Sequence, residues 1–333
     1  MRTLIIAEAG VNHNGDVATA CALVDAAVEA GADVAKFQTF KADSLATAVA
    51  PKAAYQERQL SDAGSQRDML VSLELDAAAH RAILAHCRSR GIEFLSTAFD
   101  DESLDLLLTL DLQRYKVPSG EITNLPMLRR VGSLGLPIIL STGMATLGDV
   151  EAALHALIDV GTDRASITVL QCTTDYPASM DDVNLRAMQS MGNAFGVAIG
   201  YSDHTAGIEA SVAAVALGAT VVEKHLTLDK LASGPDHAAS LEPSEFAGLV
   251  RAIRNVERAL GTGQKTPTQR ETANSIPARK SIVAARDIPA GTIFTAADLT
   301  VKRPATGLSP MRWDEVLGRP ATRAFVLDEM IEL

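Results

Sequence analysis

The sequence predicts a (β/α)8 barrel followed by a small β-rich domain, and three observations carry that prediction. Eight short apolar runs each end in polar residues. Ala- and Leu-rich stretches with helical periodicity separate most of them. The alternation stops at Gly261, close to the roughly 250 residues such a barrel usually takes. A doubly wound sheet is the structural alternative.

The candidate strands are Leu4 to Gly10, Val34 to Thr39, Glu93 to Phe99, Tyr115 to Glu121, Pro137 to Gly143, Ile167 to Thr173, Val197 to His204 and Val221 to Thr227. Helical stretches include Val17 to Ala30, Leu75 to Arg90, Asp149 to Asp159 and Pro243 to Leu260, with Gly31, Gly91, Gly161 and Gly261 placed to end them. Lys41 to Arg67 is polar and weakly periodic, so it reads as a long loop over the barrel mouth. Residues 1–261 therefore form the barrel, 262–278 a linker, and 279–333 a small domain with β-like pieces at Ser281 to Ala284, Thr292 to Phe294 and Leu299 to Val301. A piece of that size is only marginally stable alone, so it is expected to pack on the barrel or on a second subunit.

Composition narrows the function. Hydrophobic residues make up 47% and aromatics 4%, so the core must be built from Ala, Val, Ile and Leu. A net charge of -11 without a basic cluster argues against nucleic acid. The first apolar run is too short for a secretory signal, and no stretch approaches a membrane span, which predicts a cytoplasmic protein with no membrane partner. Cys21, Cys87 and Cys172 have no metal-type spacing and read as reduced thiols.

The chemistry gathers at the strand ends: Glu8; Lys36 and Gln38; Thr97; Lys116, Ser119 and Glu121; Ser141 and Thr142; Thr173, Thr174 and Tyr176; Ser202, Asp203 and His204; Glu223, Lys224 and His225. In parallel barrels this end carries the active site. Burying an ammonium without an anion is costly, so Lys36 and Lys116 point to an anionic ligand, most simply a phosphate; the alternative pairs each lysine with Glu8 or Glu121. His204 and His225, with Asp203 and Glu223 beside them, suit a divalent metal with open positions. Glu223 and His225 share a strand face and Lys224 opposes them, outside the ring. Glu8 is a candidate acid or base, or a partner to Lys36. The segments Asn12-His13-Asn14-Gly15 and Gly234-Pro235-Asp236-His237 read as turns at the mouth, the first followed by a helix capped by Asp16.

Ala7-Glu8-Ala9-Gly10-Val11-Asn12-His13-Asn14-Gly15, Lys36-Phe37-Gln38-Thr39, Lys116-Val117-Pro118-Ser119-Gly120-Glu121, Ser141-Thr142-Gly143-Met144, Tyr201-Ser202-Asp203-His204-Thr205, Glu223-Lys224-His225 and Gly234-Pro235-Asp236-His237 closely resemble the bacterial sialic acid synthase family. Neuraminate, legionaminate and pseudaminate synthases belong to it. The resemblance covers essentially the whole chain, and Val301-Lys302-Arg303-Pro304 and Leu308-Ser309-Pro310 look like its antifreeze-like (SAF) domain.

That resemblance implies condensation of phosphoenolpyruvate with an open-chain N-acylmannosamine-type sugar, giving a nine-carbon 2-keto acid and phosphate by C–O cleavage. N-Acetylmannosamine giving N-acetylneuraminate is the first expectation; 2,4-diacetamido-2,4,6-trideoxymannose giving N,N'-diacetyllegionaminate is the second. It implies Mn2+, or Mg2+ or Co2+, on His204 and His225; Glu8 and Glu223 in catalysis; Lys36, Thr97, Lys116, Ser119 and Ser202 around phosphoenolpyruvate; and Gln38, Glu121, Tyr176, Asp236 and Arg303 around the sugar. Arg303 would act across a domain-swapped homodimer. Thr174, Ala98 and Ala305 depart from the family pattern without removing a charged group. Two other classes stay open from the residues alone: another metal-dependent barrel aldolase, and a noncatalytic carbohydrate binder.

Overall fold

The computed structural model describes residues 2–59 and 64–333. Eight parallel strands close into a barrel in sequence order: β1 (Leu4–Gly10), β2 (Val34–Thr39), β3 (Glu93–Ala98), β4 (Tyr115–Val117), β5 (Ile138–Ser141), β6 (Ile167–Cys172), β7 (Ala198–Asp203) and β8 (Val221–His225). β8 pairs back onto β1, so no edge strand is left open. The barrel belongs to a unit that ends at Gly261; Thr262–Leu333 forms a second.

Helices return the chain between strands, and their ends are written locally. Val17–Ala30 starts with Asp16 accepting from the Thr19 amide and stops at Gly31, whose left-handed φ of 84° lets its N–H cap the Ala27 and Val28 carbonyls. Ala77–Arg90 repeats the device with Asp76 and Gly91. No helix among the described residues is long and apolar enough to cross a membrane.

Three expectations change. β4 stops at Val117 rather than Glu121: Pro118 has no N–H to donate, and Ser119–Glu121 forms a single 3-10 turn. Lys41 to Arg67 is not a plain loop, since short helices occupy Ala42–Leu45, Ala54–Gln59 and Gln66–Val71; residues 60–63 of that stretch lie outside the described residues. The expected linker holds a helix, Gln269–Ala278, begun by a reciprocal Thr268–Glu271 cap.

The second unit has its own small core, in which Ile282, Ala284, Phe294, Leu299 and Phe325 are buried. Two antiparallel strands, β9 (Ser281–Ala284) and β10 (Leu299–Lys302), frame it.

Candidate active site

Strand parity decides which side chains reach the barrel interior. Ile6, Val34, Leu95, Ile139, Leu170 and Val221 form a buried apolar layer inside the barrel. Gly200 completes it, because a Cβ there would come within 2.5 Å of both the Leu170 side chain and the Val221 carbonyl. Two residues further along the same strands stand Glu8, Lys36, Thr97, Ser141, Cys172 and Glu223, all lining one cavity of about 430 Å³ together with Lys116 and Ser202. The register sets Glu8 opposite both Lys36 and His225, Thr97 opposite Lys116, and Ser202 opposite Glu223.

The lysines are not left to an external anion alone. Lys36 Nζ lies 2.7 Å from Oε2 of Glu8 and 3.7 Å from Oε2 of Glu223, and donates to Thr97 Oγ1 at 3.3 Å. Lys116 Nζ donates to Oε1 of Glu223 at 3.1 Å, as does Ser202 Oγ at 3.1 Å. Lys36 thus takes the expected Glu8 pairing, whereas Lys116 pairs with Glu223 and not with Glu121, which accepts from Asn124 at 2.5 Å. Glu223, expected beside the histidines, is committed to the lysines.

Electrostatics follow from burial and neighbours. Burial alone would push Glu223 up, but the Lys116 and Lys36 charges outweigh it and hold this carboxyl at about 2. Burial also dominates at Glu8 and raises it despite Lys36. Lys116 is pushed down by burial, with Glu223 opposing. The cluster sets two lysines against two acidic side chains, and Glu8 is the acid whose proton affinity burial raises.

The histidines sit one step further out. His204 Nδ1 is 2.6 Å from the Thr173 carbonyl, so it donates, and Nε2 keeps its lone pair. Tyr176 stacks on His204 with centroids 4.1 Å apart and meets His225 edge-on at 5.7 Å; the two imidazoles are 5.6 Å apart. Burial lowers His204 to about 4 and pushes His225 well down, the His204 neighbour adding to it, so both rings are neutral at pH 7. His225 Nδ1 is buried with no hydrogen-bond partner, 3.8 Å from Oδ2 of Asp236. Burial, reinforced by Glu8, raises Asp236 to about 7.

The Nε2 lone pair of His204, whose hydrogen-bonding neighbour is Ser202 Oγ at 3.5 Å, and the orphaned Nδ1 of His225 fit a divalent ion. Among the described residues no group of three or more His, Cys, Asp or Glu is arranged to hold one, so further donors would have to be water or substrate.

Asp203 is where the expected ring fails. It faces away from the barrel interior, fully buried, accepting from the Thr205 amide at 2.9 Å and Ser211 Oγ at 2.6 Å and pairing with Lys224 at 3.0 Å. Lys224 is outside the ring, as its parity requires. Thr142 and Thr173 also spend their hydroxyls on backbone, at the Leu170 and Asp182 carbonyls.

The two turn segments meet each other. Asn14 Nδ2 donates to the Ser233 carbonyl at 2.9 Å and lies 3.3 Å from His237 Nε2, while His237 Nδ1 is 2.7 Å from Thr227 Oγ1. Asn12 bonds the Leu226 carbonyl and Ser240 Oγ, and Ser240 donates to the Asp236 carbonyl at 2.7 Å. These contacts hold Asp236 at the cavity wall.

Ser119, Gln38, Glu121, Tyr176 and both histidines line the same cavity. Ser119 Oγ accepts from the Gly143 amide at 3.0 Å and lies 3.1 Å from Cys172 Sγ. Arg303 belongs to the second unit, where its side chain is exposed. Unforeseen from sequence was an apolar side of the cavity, which includes Phe40, Leu45, Met69, Leu70, Leu73 and Phe99. The apolar residues of 69–73 were the available signal.

A closed parallel barrel with two buried lysines and two neutral histidines lining one cavity at its C-terminal end has the form of a barrel enzyme's active site. The chain belongs to the NeuB family, which it matches over residues 23–265, with a SAF domain over 279–332. It is a phosphoenolpyruvate-dependent nonulosonate synthase, a 2.5.1-type transferase acting on an acylated hexose, in a family that is generally metal-dependent.

It is 52% identical over 330 residues to an N,N'-diacetyllegionaminic acid synthase of Campylobacter jejuni, covering 99% of each chain. A Legionella pneumophila enzyme of the same name is 45% identical over 96% of this chain and 90% of its own. The crystal structure of an N-acetylneuraminic acid synthetase from Leptospira borgpetersenii superposes with a TM-score of 0.72 at 31% identity, covering 82% of this chain and 90% of that one.

Proposed function

We propose that this chain makes N,N'-diacetyllegionaminic acid from phosphoenolpyruvate and 2,4-diacetamido-2,4,6-trideoxymannose. The observation that carries this is the full-length 52% identity to the Campylobacter jejuni enzyme. It reverses the order expected from sequence, which put N-acetylmannosamine first; the neuraminic acid synthetase is 31% identical.

In this reading Lys36, Lys116, Thr97, Ser119 and Ser202 hold the phosphate and carboxylate of phosphoenolpyruvate. The ligand's negative charge competes with Glu8 and Glu223 for the lysines, and Glu223 keeps both lysines facing the cavity. A divalent cation on His204 and His225, Mn2+ by preference, supplies Lewis acidity toward the sugar aldehyde. Carbon 3 of phosphoenolpyruvate attacks the aldehyde carbon, and the aldehyde oxygen takes up a proton. Water adds at carbon 2, and phosphate then leaves with its bridging oxygen. Glu8, raised by burial and bonded to Gln38 at 3.1 Å, is our candidate to carry protons there. Gln38, Glu121, Tyr176 and Asp236 orient the sugar. The SAF match supports a domain-swapped homodimer in which Arg303 of the partner subunit reaches the N-acyl group.

The test is phosphate release with each sugar in the presence of phosphoenolpyruvate and Mn2+. The expected result is kcat/KM for the trideoxy sugar at least about tenfold above that for N-acetylmannosamine. Equal or faster use of N-acetylmannosamine would overturn the assignment. Labelled bridging oxygen retained in the sugar acid would overturn the C–O cleavage.

A further inference from the structure

We propose that the apolar side of the cavity, centred on Met69 and Leu73, is the subsite that selects a 6-deoxy carbon over a hydroxymethyl group. The inference rests on the proposed trideoxy substrate and says which side chains read its end.

The cavity is divided by chemistry. Glu8, Lys36, Thr97, Lys116 and Glu223 occupy the inner level and the two histidines the next step out, while Phe40 and Phe99 follow the ends of β2 and β3 and so line the outer part of the cavity. Leu45, Met69, Leu70 and Leu73 come from the crossover between those strands and pack with the two phenylalanines into one cluster. Met69 and Leu73 are buried and yet line the cavity.

A sugar whose aldehyde lies at the histidines, with the lysine cluster beneath it, directs its far carbons outward, where the crossover side chains and Phe40 lie. The six side chains offer no hydrogen bond beyond the weak Met69 thioether. A hydroxyl pressed against them loses water without a replacement partner, whereas a methyl group gains by leaving water. The wall therefore works by excluding oxygen at that carbon, and the inner groups, shared by any sugar of this class, do not.

The experiment compares 2,4-diacetamido-2,4,6-trideoxymannose with its 6-hydroxy counterpart in the full-length wild type, Met69→Gln and Leu70→Gln. Wild type should favour the 6-deoxy sugar by about tenfold in kcat/KM. Met69→Gln should bring the ratio near unity through KM for the sugar, leaving KM for phosphoenolpyruvate unchanged. Leu70 is half-buried, so Leu70→Gln decides the matter if Met69→Gln does not fold. Equal use of both sugars by wild type, or an unchanged ratio in the folded variants, overturns the inference. Turnover of N-acetylmannosamine with neither diacetamido sugar accepted would instead overturn the substrate assignment on which it rests.

Discussion

Glu223 and Lys116 form a buried ion pair across the barrel, Oε1 to Nζ 3.1 Å, with each side chain almost fully removed from solvent. The carboxylate also faces Lys36 at 3.7 Å, so a single acid from β8 holds the cations of β2 and β4 at one level.

Glu223→Gln should therefore cost stability as well as function. Taking one partner from a buried pair typically costs about 3–5 kcal/mol, because the other charge stays behind. Urea denaturation at pH 7 should show a loss in that range; a loss under about 1 kcal/mol would mean that the lysines find compensation elsewhere.

Two buried lysines, Lys224 of β8 and Lys116 of β4, should separate cleanly. Lys224, paired with Asp203 on the helix-facing side, contributes to the fold, so Lys224→Met should lower stability by about 3 kcal/mol and leave KM for phosphoenolpyruvate unchanged. Lys116→Met should raise that KM at least about tenfold. Steady-state kinetics beside thermal melts distinguish the two, and a raised KM in Lys224→Met would contradict its placement outside the site.

Gly143 leaves room for Ser119. A Cβ at this position would come 2.5 Å from Thr174 Cγ2 and 2.9 Å from Ser119 Oγ. Gly143→Ala should displace the serine hydroxyl and weaken phosphoenolpyruvate binding, visible as a raised KM with little change in sugar KM. Unaltered KM for phosphoenolpyruvate would remove Ser119 from the anion site.

His13 should shape the acid limb of stability. Burial, helped by His80, lowers it to about 4, against 6.5 for the free side chain. Between those values the unfolded chain binds a proton that the folded one refuses, so stability falls as pH drops from about 6.5 to 4 and then levels. The upper bound is about 3 kcal/mol, at 1.36 kcal/mol per unit. His13→Gln should make that part of the profile shallower in urea titrations, with the lowered His204 and His225 keeping a remaining slope; an unchanged slope would falsify the assignment.

The latch between the two turns makes a last expectation. Asn14→Ala removes the bond to the Ser233 carbonyl and the contact with His237, freeing the segment that carries Asp236. Sugar KM should rise about tenfold while melting temperature moves by only a few degrees. A fall in melting temperature with unchanged sugar KM would make the latch purely structural.

Local sequence determined a good deal. Alternation and capping residues placed strand and helix, and parity alone put Lys224 outside the ring, because neighbouring strand residues must face opposite ways. Only the closed barrel decided the rest. Asp203 follows the same parity as Lys224, its register partner, and closure supplied only its company there: Lys224 and the hydroxyls of Thr205 and Ser211. Glu223 looked like a companion of the histidines until the register brought Lys36 and Lys116 to it from distant strands. The apolar wall depends on Met69 and Leu73 folding back onto Phe40 and Phe99. Periodicity is set by each segment's own backbone, whereas ion pairing and cavity lining depend on which segments closure makes neighbours.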